Sequence, residues 1–158
     1  MTHPVPQPWQ HENIIQHSQH LLSSFEHWLG YSLIDRSGSP QEVAHLLFEA
    51  PFVIVSHDTQ PDPIFNYGNQ KALQLWEVTW DELLQMPSRQ TAEEMAQEER
   101  DFLLKETQEK GFVQNYTGIR VSSTGRRFKI QNVIIWNVLN ENHDYLGQAA
   151  IYSRYQYL

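Results

Sequence analysis

The apolar positions of this chain change period three times, and the changes divide it into helices, strands, helices and strands again. From His11 to Leu29, Ile14, Leu21, Phe25 and Trp28 fall at spacings of seven, four and three, and Ile15, Leu22 and Leu29 widen the stripe. That pattern is an amphipathic helix, with Gly30 placed to end it. "DRSGSP" reads as a loop. Ser39-Pro40-Gln41-Glu42 then forms a capping box with proline at the first helical position, opening a helix that buries Val43, Leu46 and Leu47 and stops at Pro51. Phe52–Asp58 is a β-branched strand, "TQPDP" a turn and "IFNYG" a short second strand.

Helical spacing returns at Asn69, which caps a helix carrying Ala72, Leu73 and Trp76. Thr79-Trp80-Asp81-Glu82 is a second capping box, for a helix with Leu83, Leu84 and Met86 that ends at Pro87. Thr91-Ala92-Glu93-Glu94 is a third, opening a long helix with Met95, Phe102 and Leu103 inside and Gly111 as its stop. Three strands follow, Phe112–Val121, Arg126–Leu139 and Leu146–Tyr155, joined by turns at "STG" and "NENHD". Turns this short impose antiparallel pairing. The first strand pair can join the same sheet only if the intervening helices lie across one face. The expected fold is therefore α+β, an antiparallel five-stranded sheet with helices covering one face, preceded by N-terminal helices. The expected organisation is a loose arm over 1–10, N-terminal helices over 11–50 and the sheet domain over 51–158.

Composition adds mostly exclusions. A chain of 158 residues with 40% hydrophobic and 19% charged residues is expected to form one globular domain. No apolar run approaches the roughly 18 residues of a membrane span, and "MTHPVPQPW" lacks a basic-then-apolar signal pattern, so a soluble cytoplasmic protein is expected. The absence of cysteine removes disulfides and thiolate chemistry, and a net charge of -8 argues against nucleic acid or an anionic membrane as the main partner.

Within this acidic chain, Asn115–Asn140 holds no acidic residue, and its only charges are Arg120, Arg126, Arg127 and Lys129. One explanation is an edge hairpin that uses positive charge against strand-to-strand aggregation. The other is a docking face for an acidic partner or a phosphorylated group. Of the eight histidines, His17 and His20 are three apart on the first helix. His20 and His27 are about 10.5 Å apart along it at ~1.5 Å per residue, too far to share an ion, so no metal site is expected. No phosphate loop, nucleophile elbow or H-E-x-x-H occurs. The glutamates of "AEEMAQEERDFLLKETQEK" read as a solvated helix face. The enzymatic alternative is a small α+β enzyme using the concave sheet, with His57–Asp58 as its acid-base pair.

Two strands, a cluster of short helices and a three-stranded meander resemble a PAS domain. The segments "DPIFNYGNQKALQLWE", "MPSRQTAEE" and above all "GIRVSSTGRRFKIQNVIIWNVLN" are similar to the MEKHLA family, from about Ile14 onward. This PAS-like domain occurs alone in bacteria and at the C-terminus of class-three HD-ZIP plant transcription factors. The six letters naming the family are absent here, as are homeodomain and START regions, so the plant proteins' DNA-binding role does not carry over. The resemblance implies a sensory or protein-interaction module rather than an enzyme. Cysteine-adduct flavin is excluded for want of a cysteine. Heme is disfavoured because the helix before the meander has no histidine, which leaves a noncovalent flavin, a small metabolite or an empty core. It also implies dimerisation through the helix before the sheet, here by Ile14, Leu21, Phe25 and Trp28, against the alternative that this helix packs on its own sheet.

The strand Arg126–Leu139 raises the question of a ligand. Regular alternation puts Phe128, Ile130, Asn132, Ile134, Trp136 and Val138 on one buried face. Asn132 would then need a partner, since an unsatisfied buried amide costs roughly 1–3 kcal/mol. A protein group such as Gln148 is one candidate. The other is a small ligand or ordered water between sheet and helices, with Trp76 and Trp136 as walls and Arg89 reaching over the mouth.

Overall fold

The computed structural model describes residues 7–93 and 96–158. These form helices α1 (Glu12–Leu29), α2 (Pro40–Phe48), α3 (Gln70–Trp76), α4 (Trp80–Leu83) and α5 (Gln97–Lys110). The strands are β1 (Val53–His57), β2 (Phe65–Gly68), β3 (Phe112–Val121), β4 (Arg127–Leu139), β5 (Tyr145–Tyr152) and β6 (Arg154–Tyr157). The sheet order is β2-β1-β5-β4-β3, every pair antiparallel. The last expected strand is broken at Ser153, and its second half, β6, pairs with the start of β4.

Both faces of the sheet are covered. On one, α3 to α5 enclose Val53, Val55, Phe65, Trp76, Phe128, Val133 and Ile135. On the other, Leu21, Leu22 and Phe25 of α1 and Val43 and Leu47 of α2 pack on Ile54, Tyr67, Trp136, Val138 and Ile151. Leu21, Leu22 and Phe25 are fully buried, each worth about 1.5–3 kcal/mol. The stripe of Ile14, Leu21, Phe25 and Trp28, expected as a dimer face, is therefore occupied within the chain. Trp28 also donates from Nε1 to the Asn137 carbonyl at 2.9 Å, and the Ser24 hydroxyl donates to the Leu139 carbonyl at 3.0 Å.

The capping boxes at Ser39 and Thr79 both form. Asn69 does more than cap α3. Fully buried, it accepts from the Ile54 and Ala72 amides and donates to the Leu47 and Phe52 carbonyls, tying α2, β1 and α3 together. The third box does not cap the long helix, whose N-cap is Ala96. Thr91 uses its hydroxyl on the Ser88 carbonyl within a 3₁₀ turn, and α5 starts at Gln97. Glu94 and Met95 lie outside the described residues. Two expected core positions face solvent, Leu46 and Phe102, at 56% and 69% exposure. Phe48 and Ala44 turn inward on α2 instead, and Arg100, Leu103 and Thr107 on α5. The arm is tied down from Gln7 onward, where Pro8–Gln10 form a turn and Trp9 stacks on His45 at 3.8 Å.

The largest departure from regular alternation is in β4. Gly118 pairs with Ile130, Tyr116 with Val133 and Val113 with Ile135, so each strand carries one extra residue. Asn115 and Asn132, at φ 59° and 54°, lie in those steps, in the left-handed region that asparagine tolerates better than most residues. Asn132 is consequently exposed. Beyond it the faces exchange: Val133 and Ile135 join Phe128 and Ile130 under α3 to α5, while Ile134, Trp136 and Val138 turn to α1.

Replacing Asn132 with valine should lower the unfolding free energy by about 1–2 kcal/mol, whereas Asn132→Gly should change it little; urea denaturation of both variants checks this. Deleting residues 1–30 should leave an insoluble chain, because it strips Leu21, Leu22 and Phe25 of α1 from one sheet face; a soluble, folded monomer would contradict that assignment.

Candidate functional site

One row of polar side chains crosses the floor beneath α5. His57 of β1 pairs in register with Gln148 of β5, which pairs with Asn137 of β4. Gln148 donates from Nε2 to the Leu104 carbonyl at 2.8 Å and to Asn137 Oδ1 at 3.3 Å. Asn137 donates from Nδ2 to the Gln108 carbonyl at 3.2 Å. The helix is thus fastened by polar side chains at its C-terminal half in addition to the apolar packing of Leu103.

His57 is 9% exposed, and its Nδ1 lies 3.0 Å from the Asp58 carbonyl. A carbonyl only accepts, so Nδ1 carries the proton and Nε2 presents a bare lone pair. Nε2 is buried with no partner among the described residues. Burial depresses the pKa of this imidazole, the backbone hydrogen bond opposes that, and the charge of Arg100 lowers it again. The net direction is downward, toward the neutral ring. Gly147 lets β5 approach here: at φ 133° it sits where a Cβ would strike the His57 carbonyl.

Above the row opens a cleft of about 460 Å³ between the Asp58–Pro63 turn, α5 and the start of β5. His57, Arg89, Arg100, Lys105, Tyr145 and Gln148 line it, together with Asp58, Asp62 and Asp101. Its size lies in the range of small-molecule sites. The turn is shaped by the Asp58 carboxylate, which accepts from the Ile64 amide at 3.0 Å and from Gln60 at 2.6 and 3.2 Å. Partial burial opposes these bonds, yet they hold its carboxyl below the usual value. Behind His57, Leu104 and Gln148 lies a small apolar chamber of about 60 Å³ walled by Val55, Phe65, Ile135 and Ala150.

The residues singled out from sequence do not converge. Trp76 and Trp136 are buried on opposite faces of the sheet, against Phe128 and Phe25 respectively. Asn132 is at the surface. Arg89 does stand at the cleft, bound to Asp62 at 3.1 Å. Of the basic hairpin, Arg120 is buried and bonded to Tyr116 and its own strand, Arg126 covers the Tyr157 ring at 3.4 Å, and Arg127 is paired with Glu93. Lys129 lines a second cleft of about 410 Å³ beside Glu93 and Glu99. Much of the charge expected to dock a partner is engaged inside the molecule.

The His57–Asp58 contact runs through a backbone carbonyl, with the carboxylate held in the turn. Among the described residues no group of three or more histidine or acidic side chains is arranged to hold a metal. His20 pairs with Glu141 at 3.2 Å, and His27 packs on His143.

Arg100, Asn137 and the bond between His17 and Ser56 were missed from sequence. Asn137 was legible in principle, since one extra residue at Asn132 turns it inward. Arg100 shares a 3-4 spacing with Leu103 and Thr107, but it was read with the solvated glutamates around it.

The sequence pattern of the MEKHLA domain matches residues 15–157. The homeobox-leucine zipper protein REVOLUTA of Arabidopsis thaliana is 28% identical over 138 residues, covering 84% of this chain. The match spans 16% of that protein's length. Among solved structures, a PAS domain from Colwellia psychrerythraea superposes with a TM-score of 0.62 at 15% identity, covering 75% of this chain and 95% of that one. The light-state dimer of the fungal blue-light photoreceptor Vivid gives 0.59 at 12% identity, covering 94% and 98%. These likenesses establish a PAS-like fold. The apolar chamber of about 60 Å³ is by itself too small for a flavin, while the adjoining cleft of about 460 Å³ lies in the size range of small-molecule sites.

His17 Nε2 lies 2.9 Å from the Ser56 hydroxyl, and burial, followed by the charge of His20, lowers its pKa to about 4. The unfolded chain takes up this proton near pH 6.5 and the folded chain does not. Stability should therefore fall as pH drops from about 6.5 to about 4, by up to roughly 3 kcal/mol. His57 shifts in the same direction. Urea unfolding at a series of pH values checks the slope, and the imidazole NMR signals should show His17 still neutral at pH 5.

Proposed function

The chain belongs to the MEKHLA domain family, and from that premise we propose that it is a PAS-like sensory module binding a small polar molecule in the cleft beneath α5. The observation that carries this reading is His57, which lines the cleft and whose buried Nε2 has no partner among the described residues. An unsatisfied buried acceptor costs about 1–3 kcal/mol, a penalty that a ligand donor removes. The site is not catalytic in this reading, because the nearest acidic neighbour in sequence, Asp58, holds its carboxylate in the turn. The ligand acts instead by position. It touches α5 on one side and the polar row on the other, so occupancy changes how firmly the helix is held to the sheet.

Native mass spectrometry of the purified protein, beside its absorption spectrum, tests the proposal. A small mass lost on denaturation, with no flavin band, is the expected result. The apo mass alone, together with a His57→Leu variant more stable than the parent, would mean that the acceptor is merely a tolerated defect and would sink the reading.

A further inference from the structure

We infer that the ligand of this cleft is a small hydroxy acid, its carboxylate on Arg100, its hydroxyl on His57 Nε2 and its short alkyl tail in the chamber behind. The inference rests on the binding reading above and adds the chemistry. Arg100 comes first. Its side chain is 7% exposed, yet its ionic partner among the described residues is Asp101, the next residue along, whose side chain is 70% exposed. Its other bond is to the neutral Ser88 hydroxyl. A buried guanidinium with five N–H donors and a solvated counter-charge is poorly compensated, and a carboxylate arriving from the cleft matches its fork. Arg89, at the mouth, is already taken by Asp62 at 3.1 Å.

His57 sets the second group. With Nδ1–H committed to the Asp58 carbonyl, Nε2 can only accept, and its lone pair repels a bare carboxylate. A hydroxyl donates to it. The chamber sets the third: about 60 Å³ of apolar space has room for a tail of roughly two carbons. Together the three groups describe a molecule such as 2-hydroxybutyrate.

The test titrates 2-hydroxybutyrate, butyrate and 2-hydroxybutanamide into the full chain, followed by ¹H–¹⁵N spectra. Butyrate removes only the hydroxyl, and the amide removes only the charge. The hydroxy acid should bind about tenfold or more tightly than either, with shifts at His57, Arg100 and Gln148. Arg100→Lys should lose a similar factor, because a point charge does not reproduce the fork. Equal binding of butyrate overturns the role of His57, and equal binding of the amide overturns the role of Arg100. If none of the three shifts cleft signals, the inference fails, while the native mass spectrum judges the binding reading separately.

Discussion

One left-handed residue in the longest strand determines which core each later side chain of that strand serves. Because side chains alternate with a period of two, a single inserted residue exchanges the faces of everything beyond it. At Asn132 this separates Phe128 from Trp136 and assigns them to different cores. β4 thus supplies Phe128 and Ile130 to the core under α3 to α5 before the step, and beyond it Val133 and Ile135 to that core and Ile134, Trp136 and Val138 to the core under α1. Asn115, opposite on β3, supplies the matching extra residue, so the register recovers to the Phe112–Trp136 pair.

The polar row follows from the same step. Without the extra residue, Asn137 would face α1. With it, Asn137 lies beside Gln148 and under α5, whose inward face is itself poorly apolar. Leu103 is the only large apolar residue buried along that helix, and Arg100 and Thr107 share its stripe. Hydrogen bonds from Gln148 and Asn137 to the Leu104 and Gln108 carbonyls supply what apolar contact does not. A helix held this way is anchored to the sheet at its C-terminal half, and it borders the cleft from Gln97 to Gln108.

Much of the framework was legible because it rests on local chemistry. The boundaries Phe112–Val121, the capping boxes at Ser39 and Thr79, and the stops at Gly30 and Gly111 depend on residues within a turn or two of each other. The failures are non-local. Leu46 and Phe102 look like core by type, but the face of a helix is chosen by its neighbours. Thr91-Ala92-Glu93-Glu94 has the letters of a cap, yet Thr91 was claimed by Ser88. The site was the least readable part. Arg89 and His57 stand out in the sequence, but Arg100 and Asn137 acquire meaning only once the bulge and the pitch of α5 are known. Asn132 was rightly singled out as anomalous, for its side chain, when its backbone was the reason.

The placement of α1 has a consequence for how the chain is made. Its contacts through Trp28 and Ser24 reach partners 109 and 115 residues further on. Helix α1 is therefore synthesised well before it can dock, since its seat on β4 and β5 is not complete until Ile151 has emerged. Until then its apolar stripe has nowhere to go. Closure over so long a loop slows the final step, and the waiting helix is the part of the nascent chain most exposed to wrong partners.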